Sequence, residues 1–277
     1  MNKKIVFIAD FFVDQISGGG ELNNEELIDM LKGKKYNVEK IQSHFVDRQF
    51  LERNRKSFFI ISNFLGIKHH LREHLCDYDY IIYEHDHKYI KERDPATHFK
   101  FQAPPTSIVN YFFYKHALAV LCQSTFHQNI LELNLNIDNV INLSGNLWSL
   151  GSLEKMRDIA RKPKKDRYSI MDSKINHKNT IGAISYCNDK KCEYELIQDS
   201  NYFNFLEKLG SNKRFVFLPK TPETLSRVIV EARMMGNIVL TNGLVGAVEE
   251  TWFQLKGEEL IDHMIAKRED ILLTIEG

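Results

Sequence analysis

The chain has few cysteines, no net charge and no long apolar run, and each shortage removes a class of protein. Four cysteines in 277 residues (Cys76, Cys122, Cys187 and Cys192) are too few for a disulfide scaffold, and three of them sit in or beside apolar runs. A reduced, cytoplasmic chain is the expectation. Cys187 and Cys192 lack the paired spacing and nearby histidines of a zinc knuckle. Acidic and basic residues number 37 each, so no global field draws the chain to nucleic acid. Met1-Asn-Lys-Lys4 runs straight into strand-like residues without a cleavage-type segment, so no signal peptide is expected. No stretch approaches the roughly 18 to 20 apolar residues of a membrane span. What remains, 43% apolar and 27% charged residues, is an ordinary globular composition. Its length suits one large α/β domain or two smaller ones.

In the N-terminal half, Ile5-Val-Phe-Ile-Ala9 is a short continuous apolar run of the kind that forms a buried parallel strand. After the loop Asp10–Ser17, Gly18-Gly-Gly-Glu21 opens a helical stretch over Leu22–Leu31. Such a junction puts backbone N–H groups where an anion or a sugar can meet them, although three glycines also simply make a flexible loop. The pattern is not G-x-G-x-x-G, and no acidic residue ends the next strand, Tyr36–Ile41, so a dinucleotide fingerprint is a poor match. Asp47–Leu75 reads as mainly helical. Its Arg48, Arg53, Arg55 and Lys56 beside Phe58 and Phe59 form either a solvated face or a surface for peripheral membrane contact.

Two short motifs compete for attention. His70-Leu-Arg-Glu73-His74 matches the H-x-x-E-H of a zinc hydrolase, but no well-placed third ligand follows. Asp77-Tyr-Asp79 precedes its strand, the wrong end for a ligand. That strand, Tyr80–Tyr83, ends in Glu84-His85-Asp86-His87. His85 at that place can orient an acceptor hydroxyl or bind donor oxygens, with Asp86 holding its tautomer; the alternative is an ordinary polar loop. Pro104-Pro105 then breaks the chain before a short helix, Ser107–Tyr114. A strand follows over Ala117–Cys122, then a helix over Thr125–Leu133 capped by Ser124, and a short run over Ile137–Leu143.

Ser149–Arg167 reads as a domain junction, its basic end lacking apolar periodicity, which predicts domains over 1–148 and 149–277. Beyond it come a strand at Tyr168–Met171, an exit loop at Lys174–Lys178, a helix at Asn179–Tyr186, a strand at Cys192–Ile197 and a helix at Tyr202–Leu209. Phe215–Leu218 opens a βαβ unit whose helix runs from Glu223 to Met235, stops at Gly236, and leads into the strand Ile238–Thr241. At about 3.6 residues per turn, Glu223 and Glu231 then share one helix face at the C-terminal end of a strand, a place suited to hydroxyl-rich ligands. Glutamates are also common in first helical turns for reasons of dipole alone. Gly257–Ile275 reads as one or two helices. Two β/α alternations predict two doubly wound domains facing a central cleft.

Together these pieces resemble a known family. Glu223 to Glu231, then Ala232, Gly236, Val239 and Gly246 to Glu249, are similar to the pattern E-x7-E-A-x3-G-x-P-V-x5-G-G-x2-E of the retaining GT-B glycosyltransferases, group 1. Gly18-Gly-Gly-Glu21 is similar to that family's glycine loop, and Ala119–Ser124 with Phe126 to its strand-serine-helix element. Lys174 and Lys178 sit where the family carries a cation pair, one residue closer together than usual. Thr224-Leu225-Ser226 replaces the family's Gly-Phe-Gly, and Asn237-Ile238 its residue-proline pair.

The resemblance implies an α/β chain of GT-B architecture that moves a sugar from a nucleotide-sugar donor to an acceptor hydroxyl. Transfer would retain anomeric configuration and need neither metal nor cofactor. UDP- or GDP-sugars are the expected donors. The acceptor stays open among a glycan, a lipid-linked glycan, a protein and modified nucleic acid. By the same resemblance Glu223 would hold the donor sugar and Glu231 the ribose. Lys178 and Lys174 would face the diphosphate, and Thr224, Leu225 and Ser226 would border the sugar. Gly19 and Gly20 would line the cleft, with His85 near the reacting centre. Domain closure would exclude water. A non-catalytic nucleotide- or glycan-binding protein on the same scaffold is the alternative, ahead of a zinc hydrolase or a nucleotide-sugar epimerase.

Overall fold

A computed structural model describes residues 4–16 and 18–277. Contacts divide the chain into two compact units, Met1–Ser144 with Ile271–Gly277, and Gly145–Asp270.

The first unit is built on six strands: β1 (Lys4–Ala9), β2 (Asn37–Gln42), β3 (Phe58–Ile61), β4 (Tyr80–Tyr83), β5 (Ala119–Cys122) and β6 (Val140–Asn142). All pairings are parallel, in the order β2-β1-β3-β4-β5-β6. Parallel neighbours need crossovers, here the helices α1 (Gly19–Gly33), α2 (Arg48–Arg53), α3 (His69–Leu75), α4 (Tyr111–His116) and α5 (Thr125–Leu135). Ser124 caps α5 by accepting a hydrogen bond from the His127 amide at 3.1 Å, as its place in the sequence predicts. The middle strands are covered on both faces, which is why they read as continuous apolar runs. Phe7, Ile8, Phe59, Ile60, Tyr80 and Ile82 are fully buried.

Asp47–Leu75 is not mainly helical. It contains β3, a middle strand of the sheet, whose Phe58-Phe-Ile-Ile61 run follows directly on a basic stretch. Phe59 lies in the core and is unavailable to a membrane surface. Ser149–Arg167, expected from the sequence as the domain junction, contains a helix that the sequence reading did not assign. Leu150–Ala160 forms α6, which buries Leu153, Met156 and Ile159 at helical spacing and is capped by Ser149 Oγ on the Ser152 amide.

The second unit has four parallel strands, β7 (Lys165–Met171), β8 (Tyr194–Ile197), β9 (Asn212–Phe217) and β10 (Ile238–Thr241), in the order β10-β9-β7-β8. The helices after α6 are α7 (Thr180–Asp189), α8 (Tyr202–Gly210), α9 (Arg227–Met234) and α10 (Glu258–Glu276). Gly236, at φ +79°, ends the α9 segment in the left-handed region that a glycine enters without a Cβ clash. Phe215, Ile229, Val230, Met234 and Leu260 pack in one apolar cluster on this sheet. The strand order of each parallel sheet reverses once, between β1 and β3 in the first and between β7 and β9 in the second. At such a point the loops leaving adjacent strands diverge and leave a crevice at their carboxyl ends.

Candidate functional site

The crevice at the reversal in the second unit is formed by the β7–α7 and β9–α9 connections. The two loops are tied together by backbone and amide bonds. The Lys220 amide donates to the His177 carbonyl at 2.9 Å, and Asn179 Nδ2 donates to the Leu218 carbonyl at 2.7 Å. Asn179 is in the left-handed region at φ 57°, and its Oδ1 caps α7 through the Gly182 amide. Lys178 ends a 3-10 turn, Asn176–Lys178, and its ammonium donates to both oxygens of Glu223, at 2.8 and 3.0 Å. The two residues lie far apart in sequence and meet across the crevice, with side chains 25% and 15% exposed. A charge-assisted fork of this kind fixes both groups while leaving them open to a ligand.

Glu223 reaches this place by a different route from the one its spacing suggests. It is not on a helix. It forms a parallel bridge with Val245, its amide donating to Leu244 at 2.8 Å and its carbonyl accepting from Gly246 at 2.9 Å. The helix begins only at Arg227, after Ser226 in the left-handed region at φ 71° and ψ 81°. Glu223 and Glu231 therefore do not share a helix face, and the positive dipole end near Lys178 belongs to α7. The side chain of Leu225 is also not part of a donor surface. It is fully buried in the apolar cluster, and its carbonyl accepts from Ala247. Thr224 is half-buried between them, and Lys174 is exposed on the β7–α7 loop.

Ser226 carries a cost that its surroundings do not offset. A Cβ in the left-handed region is disfavoured, and its Oγ is buried without a hydrogen-bond partner. Ser226→Gly is expected to raise unfolding stability by about 1 kcal/mol, read as a higher urea midpoint at unchanged slope.

Glu231 is 3% exposed and serves as an internal acceptor. Its Oε1 takes hydrogen bonds from Trp148 Nε1 at 2.9 Å and Tyr202 OH at 2.7 Å, with Arg227 Nε at 3.6 Å. Arg227 stacks on the Trp148 ring at 4.4 Å and donates to the Leu147 carbonyl. Burial, with the Glu231 charge beside it, holds the Tyr202 hydroxyl well above its ordinary pKa and so protonated, as a donor to that carboxylate must be.

In the first unit, Gly19 and Gly20 form the first turn of α1, not a loop before it. A Cβ on Gly20 would stand 3.7 Å from His85 Cδ2, so the glycine and the histidine are neighbours. Gly19 is exposed. His85 Nε2 lies 2.6 Å from Asn24 Oδ1, its Nδ1 meets the Gln123 amide, and its ring packs edge-on against Tyr83. Asn24 is oriented in turn by donating to Ser62 Oγ at 2.8 Å. Two neutral amides therefore hold both ring nitrogens, Asn24 Oδ1 facing Nε2 and the Gln123 amide facing Nδ1. Asp86 does not hold the ring. That carboxylate pairs with Arg93 and accepts from the His87 amide. Glu21 folds back on the start of α1, where burial, with Asp10 adding to it, raises its pKa.

Behind His85 lies a polar cluster that sequence reading passed over. Glu84 and Lys88 are fully buried and form an ion pair; Tyr114 donates to the second Glu84 oxygen, and the Asp86 amide donates to the first at 2.9 Å. The signal was legible, since Lys88 stands four residues after Glu84 at a strand end, close enough in sequence for the two charges to pair. Lys220 was also missed, because only the fold brings it to the Lys178 turn.

The two competing motifs come apart in the structure. His74 faces Glu52 at 3.0 Å and Tyr78 at 3.2 Å, and His69 pairs with Glu73. Among the described residues no three His, Cys, Asp or Glu side chains are grouped as a metal site requires. Asp77 and Asp79 are exposed at the amino end of β4, away from the carboxyl ends of the strands. No described helix is long and apolar enough to cross a membrane.

No protein-family model and no curated protein sequence matches this chain. Solved structures do. HepE of Anabaena, in complex with UDP and glucose, is similar over 100% of both chains at a TM-score of 0.60 and 11% identity. The lipopolysaccharide outer core galactosyltransferase WaaB, in its apo form, is similar over 99% of this chain and 100% of its own, at 0.54 and 11%. An alpha-glucosyltransferase in complex with UDP and a 13-mer DNA containing a HMU base is similar over 98% and 94%, at 0.53 and 10%. These neighbours are GT-B glycosyltransferases. With its two parallel-sheet units, this chain has their fold, the two-domain Rossmann-like GT-B architecture.

Proposed function

We propose that the chain is a glycosyltransferase that takes a sugar from a nucleotide-sugar donor and passes it to an acceptor hydroxyl. The observation that carries this reading is the Lys178–Glu223 fork at the reversal of the second sheet. A UDP-sugar is the first donor to try, since two of the similar structures hold UDP.

In the reaction, the bond between the anomeric carbon and the diphosphate breaks as the acceptor oxygen bonds to that carbon. The departing diphosphate takes the bonding electrons, and the acceptor hydroxyl passes its proton to a phosphate oxygen of that leaving group. Negative charge therefore grows on the phosphate side. Lys178 offers an ammonium and the first turn of α7 a partial positive charge. Glu223, accepting from sugar hydroxyls, would orient the ring. With side-chain and helix-end positive charge available to the leaving diphosphate, transfer proceeds without a metal; retention of configuration is carried over from the family resemblance. His85, held by Asn24 and Gln123, presents a fixed ring edge to the acceptor side of the first unit.

Incubation with UDP-, GDP-, ADP- and dTDP-sugars in the presence of EDTA tests the whole reading. Release of nucleoside diphosphate from one donor is expected, at a rate EDTA leaves unchanged, and NMR of the product should show the donor's anomeric configuration. Strict dependence on Mn²⁺ would replace the metal-free mechanism. Binding of a nucleotide sugar without turnover would favour a binding protein on this scaffold.

A further inference from the structure

We propose that Lys220 is the second diphosphate-binding cation of the donor site, a role that sequence similarity gives to Lys174. This deepens the transferase reading and rests on it. The Lys178–Glu223 fork is neutral as a pair, because the carboxylate takes both of its oxygens to one ammonium. A donor diphosphate carries a negative charge on each phosphate, so a neutral fork leaves that charge unmatched. Beside the partial positive charge at the start of α7, a further cation held against the same turn would match it, provided that cation is not already tied to a carboxylate.

Lys220 meets both conditions. It stands just past the carboxyl end of β9, its amide locked to the His177 carbonyl at 2.9 Å. Its ammonium lies 3.2 Å from Asn176 Oδ1 and is exposed. Asn176 and His177 belong to the 3-10 turn that carries Lys178, so backbone and side chain both hold Lys220 against that turn. The partner of its ammonium is a neutral amide, which an anion can displace without separating an ion pair. Lys174 is exposed on the β7–α7 connection, two residues before that turn, whereas Lys220 is bonded to the turn through both its amide and its ammonium.

Calorimetric titration of the full chain with UDP, GDP, uridine, guanosine and inorganic pyrophosphate tests the assignment. Lys220→Ala is expected to weaken the bound nucleoside diphosphate and pyrophosphate about tenfold, with the nucleoside itself changed less than twofold. Lys220→Arg should keep most of the affinity, and Lys174→Ala should have little effect. Unchanged diphosphate affinity in Lys220→Ala overturns the proposal, as does equal weakening of nucleoside and diphosphate. If the wild type binds diphosphate through Lys220 but transfers no sugar, the transferase reading fails and the anion site stands. A wild type that binds neither nucleoside diphosphates nor pyrophosphate overturns both.

Discussion

Lys178→Ala is expected to lower kcat/KM for sugar transfer by about 10²- to 10³-fold, the cost of removing one preorganised group that stabilises transition-state charge. The substitution acts twice. It removes the ammonium that would stabilise charge building on the leaving diphosphate, and it leaves the Glu223 carboxylate, 15% exposed, facing the donor without that ammonium. Glu223→Gln keeps the shape and some hydrogen bonding, so a smaller loss is expected, concentrated in KM for the donor. Because the two groups share one fork, the double variant should cost less than the sum of the singles. Steady-state kinetics of the three variants, beside thermal melts close to wild type, decide the matter. Wild-type turnover in folded Lys178→Ala would remove this pair from the mechanism.

Glu84→Gln is expected to destabilise the chain by about 3 to 5 kcal/mol, since breaking a fully buried ion pair strands the remaining charge. Glu84 and Lys88 are both fully buried, and the cluster uses both Glu84 oxygens, with Lys88 and the Asp86 amide on one and Tyr114 on the other. An amide in place of the carboxylate leaves the Lys88 ammonium without a counter-charge. It also brings an N–H₂ donor against existing donors. Combining Glu84→Gln with Lys88→Met should recover part of the loss, because no charge is then left in the core. Urea unfolding of the singles and the double measures this directly. A Glu84→Gln variant within 1 kcal/mol of wild type would show that water reaches the pair. The strain would be felt at His85, whose turn the Glu84 carboxylate holds through the Asp86 amide.

Much of the fold was legible because buried parallel strands leave a strong local trace. Ile5–Ala9, Tyr80–Tyr83, Ala119–Cys122 and Ile238–Thr241 are strands, as their apolar runs and flanking turns predict. The Ser124 cap and the Gly236 stop were readable for the same reason: each satisfies a backbone requirement within a few residues. β3 escaped because Phe58-Phe-Ile-Ile61 is short and follows a basic stretch that reads as helix surface. α6 escaped because its apolar residues, Leu153, Met156 and Ile159, are spaced thinly among charges. Both errors are of period, which a four-residue run or a narrow stripe states only weakly.

The site divides along another line. The sequence by itself determined which residue types are available and near which strand ends they fall. Lys178 follows β7, Glu223 follows β9 and His85 follows β4, and each is settled by the strand that precedes it. Pairing was decided only by the tertiary structure. The fork between Lys178 and Glu223 exists because β7 and β9 are neighbours although β8 lies between them in sequence, a matter of sheet order that no local pattern encodes. The same is true of Lys220 on the Lys178 turn and of His85 between Asn24 and Gln123. Where Glu223 sits was decided by backbone pairing with Leu244 and Gly246, which overrode the helical propensity of its own segment. Glu231 marks the limit of motif spacing. Its place in the sequence points to a ligand, and its burial among Trp148, Tyr202 and Arg227 gives it partners within the protein, because a carboxylate 3% exposed is held by whatever donors the fold brings to it.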